Sequence, residues 1–118
     1  MKRNDYALIT LNNGGYALKA PDGTDVDLKK HNIDLTGYKL DSRNCAETRD
    51  GTRIYRFIAP HGKYYALTVY LNGELNGESH SKRGKIKPWH HRVFFFERED
   101  EYNTVLEARL RTRRKIQK

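Results

Sequence analysis

Lys82, Arg83, Lys85 and Lys87 put four cations within six residues, and Trp89 and Arg92 follow at once. A second set, Arg109, Arg111, Arg113, Arg114 and Lys115, falls within seven residues further on. From Ser79 to Lys118 there are twelve basic groups against five acidic ones, about +7 of a net charge of +8, so the first 78 residues are nearly neutral. Positive charge localised in this way is the footprint of a polyanion partner. Each neutralised phosphate releases condensed counterions, which binds nucleic acid without reading its sequence. Rings beside such cations add stacking surfaces for bases, and Trp89, Tyr64 and Tyr70 are the candidates. The expected function is therefore non-catalytic, largely sequence-nonspecific binding of DNA or RNA, through loop 79–88 and the last helix. No recognition-helix signature, zinc ligand set or ribonucleoprotein motif accompanies the cations, so base-specific readout is not expected.

Two other classes fit some of the same residues. His61, His80, His90 and His91 could place an imidazole beside Arg or Lys, and such sets are the tools of metal-free ribonucleases. In that reading His61, His90 and Arg92 carry the chemistry, with Tyr64 as an orienting or proton-transfer helper. His90-His91, a strand and Asn103 on a helix match part of a ββα-metal nuclease pattern, but the later histidine is missing. Asp22, Asp25 and Asp27 lack the downstream bidentate acid of a calcium loop and read as turn chemistry. Neither a metal nor a cofactor is expected. The third class is a small inhibitor or adaptor docking on an acidic protein surface, with Trp89 as apolar anchor.

Length and composition set the frame. A chain of 118 residues has room for one core of ordinary size, so a single domain, 1–118, is expected. Hydrophobic residues make up only 36%, but thirteen aromatic residues, eight of them Tyr, are too many for a disordered tail. Cys45 stands alone, which excludes an intramolecular disulfide and fits a reducing cytoplasm. No stretch approaches the roughly 20 apolar residues of a membrane span, and no apolar run follows the first charges, so neither membrane insertion nor an export signal is expected.

The elements that must position these groups read as a β meander over about 5–98 and a C-terminal helix over about 99–115. Tyr6–Leu11 and Tyr16–Ala20 flank Asn12-Asn-Gly-Gly15, a hairpin turn composition. With Leu11 facing Tyr16, alternation puts Ala7, Ile9, Leu11, Tyr16, Leu18 and Ala20 on the core face and Leu8 on the other. Asp25 to Gly37 reads as loop with one short turn. Residues 38–48 and 52–58 flank Asp50-Gly51 as a second hairpin, and Pro60-His-Gly-Lys63 leads into a strand from Tyr64 with Tyr65, Leu67, Val69 and Leu71 inward. Leu71-Asn-Gly-Glu74 and its direct copy Leu75-Asn-Gly-Glu78 read as the end of the meander. Basic loop 79–88 follows, then a strand from Trp89 to Phe96. In the helix, Tyr102, Leu106 and Leu110 make one apolar stripe, with acid in the first turn and base in the last. Short strands with turns every 8 to 12 residues favour an α+β, mainly antiparallel fold of five to seven strands. A small SH3-like or OB-like barrel or a curved meander sheet would carry the basic helix. Exposed edge strands would permit pairing between copies, and the oligomeric state stays open.

Overall fold

The protein is described by a computed structural model covering residues 4–84, 95–96 and 98–116, with side chains as far as 112. It is an α+β fold of two mainly antiparallel sheets and one C-terminal helix, α1 (Glu99–Ile116). The smaller sheet has the order β2-β1-β8, from β1 (Ala7–Thr10), β2 (Tyr16–Lys19) and β8 (Phe95–Phe96). The larger has the order β3-β5-β6-β7, from β3 (Lys39–Leu40), β5 (Arg53–Ile58), β6 (Tyr64–Val69) and β7 (Leu75–His80). β4 (Ala46–Glu47) pairs with β5 beside β3. β1 and β8 run parallel; every other pair is antiparallel. Among the described residues the sheets do not close into a barrel.

One turn design recurs. Leu11 N–H donates to Gly15 C=O at 2.8 Å and Gly14 N–H to Leu11 C=O at 2.9 Å. The same pair of bonds closes the turns Ala20–Thr24, Thr48–Thr52, Ala59–Lys63 and Tyr70–Glu74. Each has glycine in its fourth position with φ between 86° and 92°, the left-handed conformation that ends a type I turn in a bulge. Each also has Asn, Asp or His just before that glycine, whose side chain accepts the N–H two residues on. The acceptors are Asn13, Asp22, Asp50, His61 and Asn72.

This turn corrects the first hairpin's register. Three residues, 12–14, make the loop, so Leu11 meets Gly15 and Thr10 pairs with Tyr16. The offset of one residue exchanges the faces of β1 relative to β2. Leu8 and Leu18, cross-strand partners, enter the main core with Tyr55, Phe57, Leu67 and Val69 of the larger sheet. Ala7 and Ile9 face the opposite way, against Tyr102 of the helix. The smaller sheet is thus buried on both faces, and the layers run larger sheet, smaller sheet, helix.

Two further expectations change. Residues 38–48 are not one strand: β3 and β4 are separated by a 3-10 turn, Ser42–Asn44. Opposite this excursion, Arg56 N–H turns to Cys45 Sγ at 3.3 Å while Arg56 C=O accepts Asp41 N–H at 2.7 Å. Nor does the meander end at 71–78. Leu71-Asn-Gly-Glu74 is turn, but its copy opens β7, where a Cβ at Gly77 would land on the Tyr65 hydroxyl. The 3-10 turn Leu28–His31 fits the expected short turn within 25–37. The core is aromatic as expected, with Tyr16 and Tyr38 in edge contact with Phe57 at ring separations of 5.2 and 6.4 Å and Tyr65 in edge contact with Tyr38 at 5.3 Å.

Gly77→Ala is expected to cost about 1–3 kcal/mol by overpacking against Tyr65. Chemical denaturation should show that loss, and Tyr65→Phe in the same chain should recover part of it. Cys45 is buried, and burial pushes its thiol up to about 11, so it should resist alkylation at pH 8 until the protein is unfolded.

Candidate nucleic-acid interface

The larger sheet has an inner face in the core and an outer face that the helix does not cover. Along β5, Arg53, Tyr55 and Phe57 point inward and are buried, so Ile54, Arg56 and Ile58 point outward. Cross-strand register extends this into rows. One row is Lys39, Ile58, Tyr64, His80; the next is Arg56, Ala66, Glu78. Lys39, Ile58 and His80 are exposed and Tyr64 is half-buried, with Ile58 on one side of it, His80 on the other and Lys39 beyond Ile58.

The chain leaving β7 folds back over this face. Gly84 sits against the Arg56 guanidinium, too close for a side chain, and Arg83 reaches past it to Asp41. That contact is bidentate, Nε to Oδ2 at 2.9 Å and Nη2 to Oδ1 at 2.8 Å, with the Asp41 side chain only 8% exposed. Asn44 Nδ2 also donates to Asp41 at 2.8 Å, and Arg56 Nη1 donates to Asn44 C=O at 2.8 Å. The hydrogen bond from Arg83, followed by that from Asn44 and the charges of Arg83 and Arg56, holds the Asp41 carboxyl below its usual range despite burial. The β3–β4 excursion therefore builds the carboxylate that straps the basic segment to the sheet.

Of the predicted cations, Lys82 is exposed on the strap, and Arg83 has one edge committed to Asp41 with its side chain still 52% exposed. The expected loop begins later than 79, because Ser79 and His80 complete β7. Lys85, Lys87, Trp89 and Arg92, with His90 and His91, lie outside the described residues. The helix is on the opposite outer layer. There Arg111 is exposed, 3.8 Å from Glu107. Arg109 turns inward: its Nη1 is buried and meets no hydrogen-bond partner among the described residues. It lines a cavity of about 220 Å³ with Asn4, Asp5, Arg53, Phe96 and Val105. Arg113, Arg114 and Lys115 lie in the helix, but their side chains are outside the described ones. Lys82 and Arg83 on the strap thus lie on the opposite layer from Arg109 and Arg111 on the helix.

The remaining chemical candidates have local duties. His61 Nδ1 accepts Lys63 N–H at 3.3 Å in its turn, and Asp22 and Asp27 accept Thr24 and Lys29 N–H groups. Asp25 is 2.5 Å from Lys19. Tyr70 closes a turn and is 39% exposed, away from the Tyr64 row. Sequence reasoning missed Arg56, Lys39 and His80 as neighbours of Tyr64, since only strand pairing brings them together. It also missed Arg53, buried in an ion pair with Glu47 at 2.6 Å, and Asn4, whose side chain ties the N-terminal segment to Gly51 and Val69. No family model, curated protein or solved structure matches this chain. Among the described residues no helix is long and apolar enough to cross a membrane.

Because the Asp41 carboxyl is lowered on folding, the strap's stabilisation is complete above the ordinary aspartate value of 3.8 and is lost as pH falls through the lowered value. Asp41→Asn should release the strap at neutral pH. Tryptic cleavage after Lys82 and Arg83 should then accelerate several-fold, with little change in the rest of the fold's hydrogen exchange.

Proposed function

We propose that this protein binds single-stranded nucleic acid on the outer face of its larger sheet, without sequence selectivity and without catalysis. The observation that carries the reading is the row Lys39, Ile58, Tyr64, His80 with Arg56, Lys82 and Arg83 alongside. An accessible aromatic ring in a central strand, flanked by cations, offers stacking to an unpaired base and neutralisation to its phosphates. A duplex keeps its bases stacked on each other and gains only the phosphate contacts. Two of the acids near this face are partnered: Asp41 by Arg83, and Glu78 lies 3.8 Å from His80.

Arg111, on the helix at the other side of the molecule, offers a second phosphate contact in this reading, and Arg113, Arg114 and Lys115 follow it in sequence. The sheet face supplies stacking, and Lys85, Lys87, Trp89 and Arg92 continue the strap in sequence. His61 plays no chemical part in this reading, because its ring nitrogen serves the turn.

Binding of labelled single-stranded DNA, RNA and duplex DNA across a salt series tests it. Three cations on the sheet face not paired with a carboxylate, Lys39, Arg56 and Lys82, predict a log–log salt slope of about −2 for single strands, steeper if Arg83 or the helix joins. Tyr64→Ala should weaken single-strand binding by about 1–3 kcal/mol with the slope unchanged, and Lys82→Ala should reduce the slope by about 0.7. Equal affinity of Tyr64→Ala and the unaltered protein would sink the stacking surface, and shortened probes would sink the non-catalytic reading.

A further inference from the structure

We infer that the free edge of β7 pairs with β7 of a second copy, joining two larger sheets into one continuous sheet. Among the described residues no strand lies beyond β7, and Asn76 to His80 are all exposed. The closing bond of the β6–β7 turn, from Tyr70 N–H to Glu74 C=O, fixes which backbone groups face outward. Bonded pairs alternate along an antiparallel ladder, so they fall at Thr68/Asn76, Ala66/Glu78 and Tyr64/His80. Leu75, Gly77 and Ser79 therefore aim their N–H and C=O groups away from β6. Gly77 has no side chain, so its exposure is exposure of that backbone. The strand also lacks the usual protections of an edge: residues 75–80 contain no Pro, no Lys and no bulge.

Charge selects the occupant and the register. Outward-facing residues are the odd-numbered ones, so two copies meet only in registers that set odd against odd. Centred on Gly77, the two-fold pairing sets Leu75 opposite Ser79, Asn76 opposite Glu78 and Glu74 opposite His80, each of them twice. No like charges meet, Asn76 can donate to Glu78, and His80 can pair with Glu74. Sliding one allowed step in one direction sets Glu78 against Glu78; the other direction sets Glu74 against Glu78. Like charges directly opposed destabilise a strand pair. The self-complementary patch is what a two-fold interface requires. Cross-strand partners share a face, so the two outer faces would join side by side, and two Tyr64 rows would lie along one surface.

The interface is small, a single strand from each copy, so the dimer is weak. Sedimentation velocity of the full chain, without nucleic acid, up to about 1 mM tests it, since interfaces below roughly 1,200 Å² are transient. Leaving nucleic acid out separates this inference from the binding reading. The expected result is reversible, concentration-dependent dimerisation. Ser79→Pro removes an outward N–H that no described residue of the protomer accepts, and should abolish dimerisation with an unchanged circular dichroism spectrum. Asn76→Glu sets carboxylates against Glu78 and should weaken the dimer tenfold or more. Adding Glu78→Lys to that variant should restore it, because the opposed pair becomes Glu and Lys. A monomer at the highest concentration overturns the inference. So does a dimer indifferent to Ser79→Pro and Asn76→Glu, which would lie elsewhere, and failure of the double variant to recover overturns the register.

Discussion

The three-residue turn ending in a left-handed glycine is the constraint from which the rest of this fold follows. An odd number of loop residues, closed by one backbone bond and one side-chain acceptor, sets which residues face each other across every hairpin that uses it. In the first hairpin it sends Leu8 and Leu18 to one side and Ile9 to the other, which allows one short sheet to bind both a second sheet and a helix. In the last hairpin it fixes the outward backbone groups of β7. The side-chain acceptors matter because each turn is exposed, where the chain would otherwise leave an N–H to compete for water.

Layering then decides what the charge can do. Basic groups concentrated in the last third of the chain look like one patch, yet the described strap lies on the outer face of one sheet and the helix covers the far side of the other. The described cations therefore lie on two surfaces, not one. The strap is held by Asp41, a carboxylate nearly removed from solvent, so a positive residue of the predicted patch, Arg83, serves as much to fasten the backbone as to meet a partner. Arg109 is a second cation with part of its donor set withdrawn into the interior. Counting charges along a sequence overstates the number free to neutralise phosphate.

The Tyr64 row and the edge of β7 are linked by geometry. Tyr64 belongs to β6 and pairs with His80 at the end of β7, so any strand added at β7 extends the surface in which Tyr64 sits. Weak self-pairing of that kind would give a nonspecific binder more contacts along a polymer while leaving the isolated protein largely monomeric.

Much was legible in the residues themselves. The Gly-containing turns around Gly14, Gly23, Gly51, Gly62 and Gly73, alternation in Tyr64–Val69 with Tyr65, Leu67 and Val69 inward, and the Tyr102–Leu106 stripe each reflect local chemistry, and each of these formed where that chemistry pointed. Asp22 and Asp27 as turn residues were legible for the same reason. Faces of the first hairpin were not, because a loop of three and a loop of four share one composition and differ by a flip of every side chain. The neighbours of Tyr64 were not, because Lys39 and His80 reach it only through β5 and across β7. Nothing in the sequence marked the 38–48 segment as broken, since its excursion is held by Cys45 and Asp41 bonding to the backbone of Arg56. The repeated tetrapeptide Leu-Asn-Gly-Glu divides the two sources of information. Its chemistry by itself determined that both copies can turn; tertiary structure decided that only the first does, because Gly77 of the second must lie flat beneath Tyr65, where the partner strand and the core leave room for backbone alone.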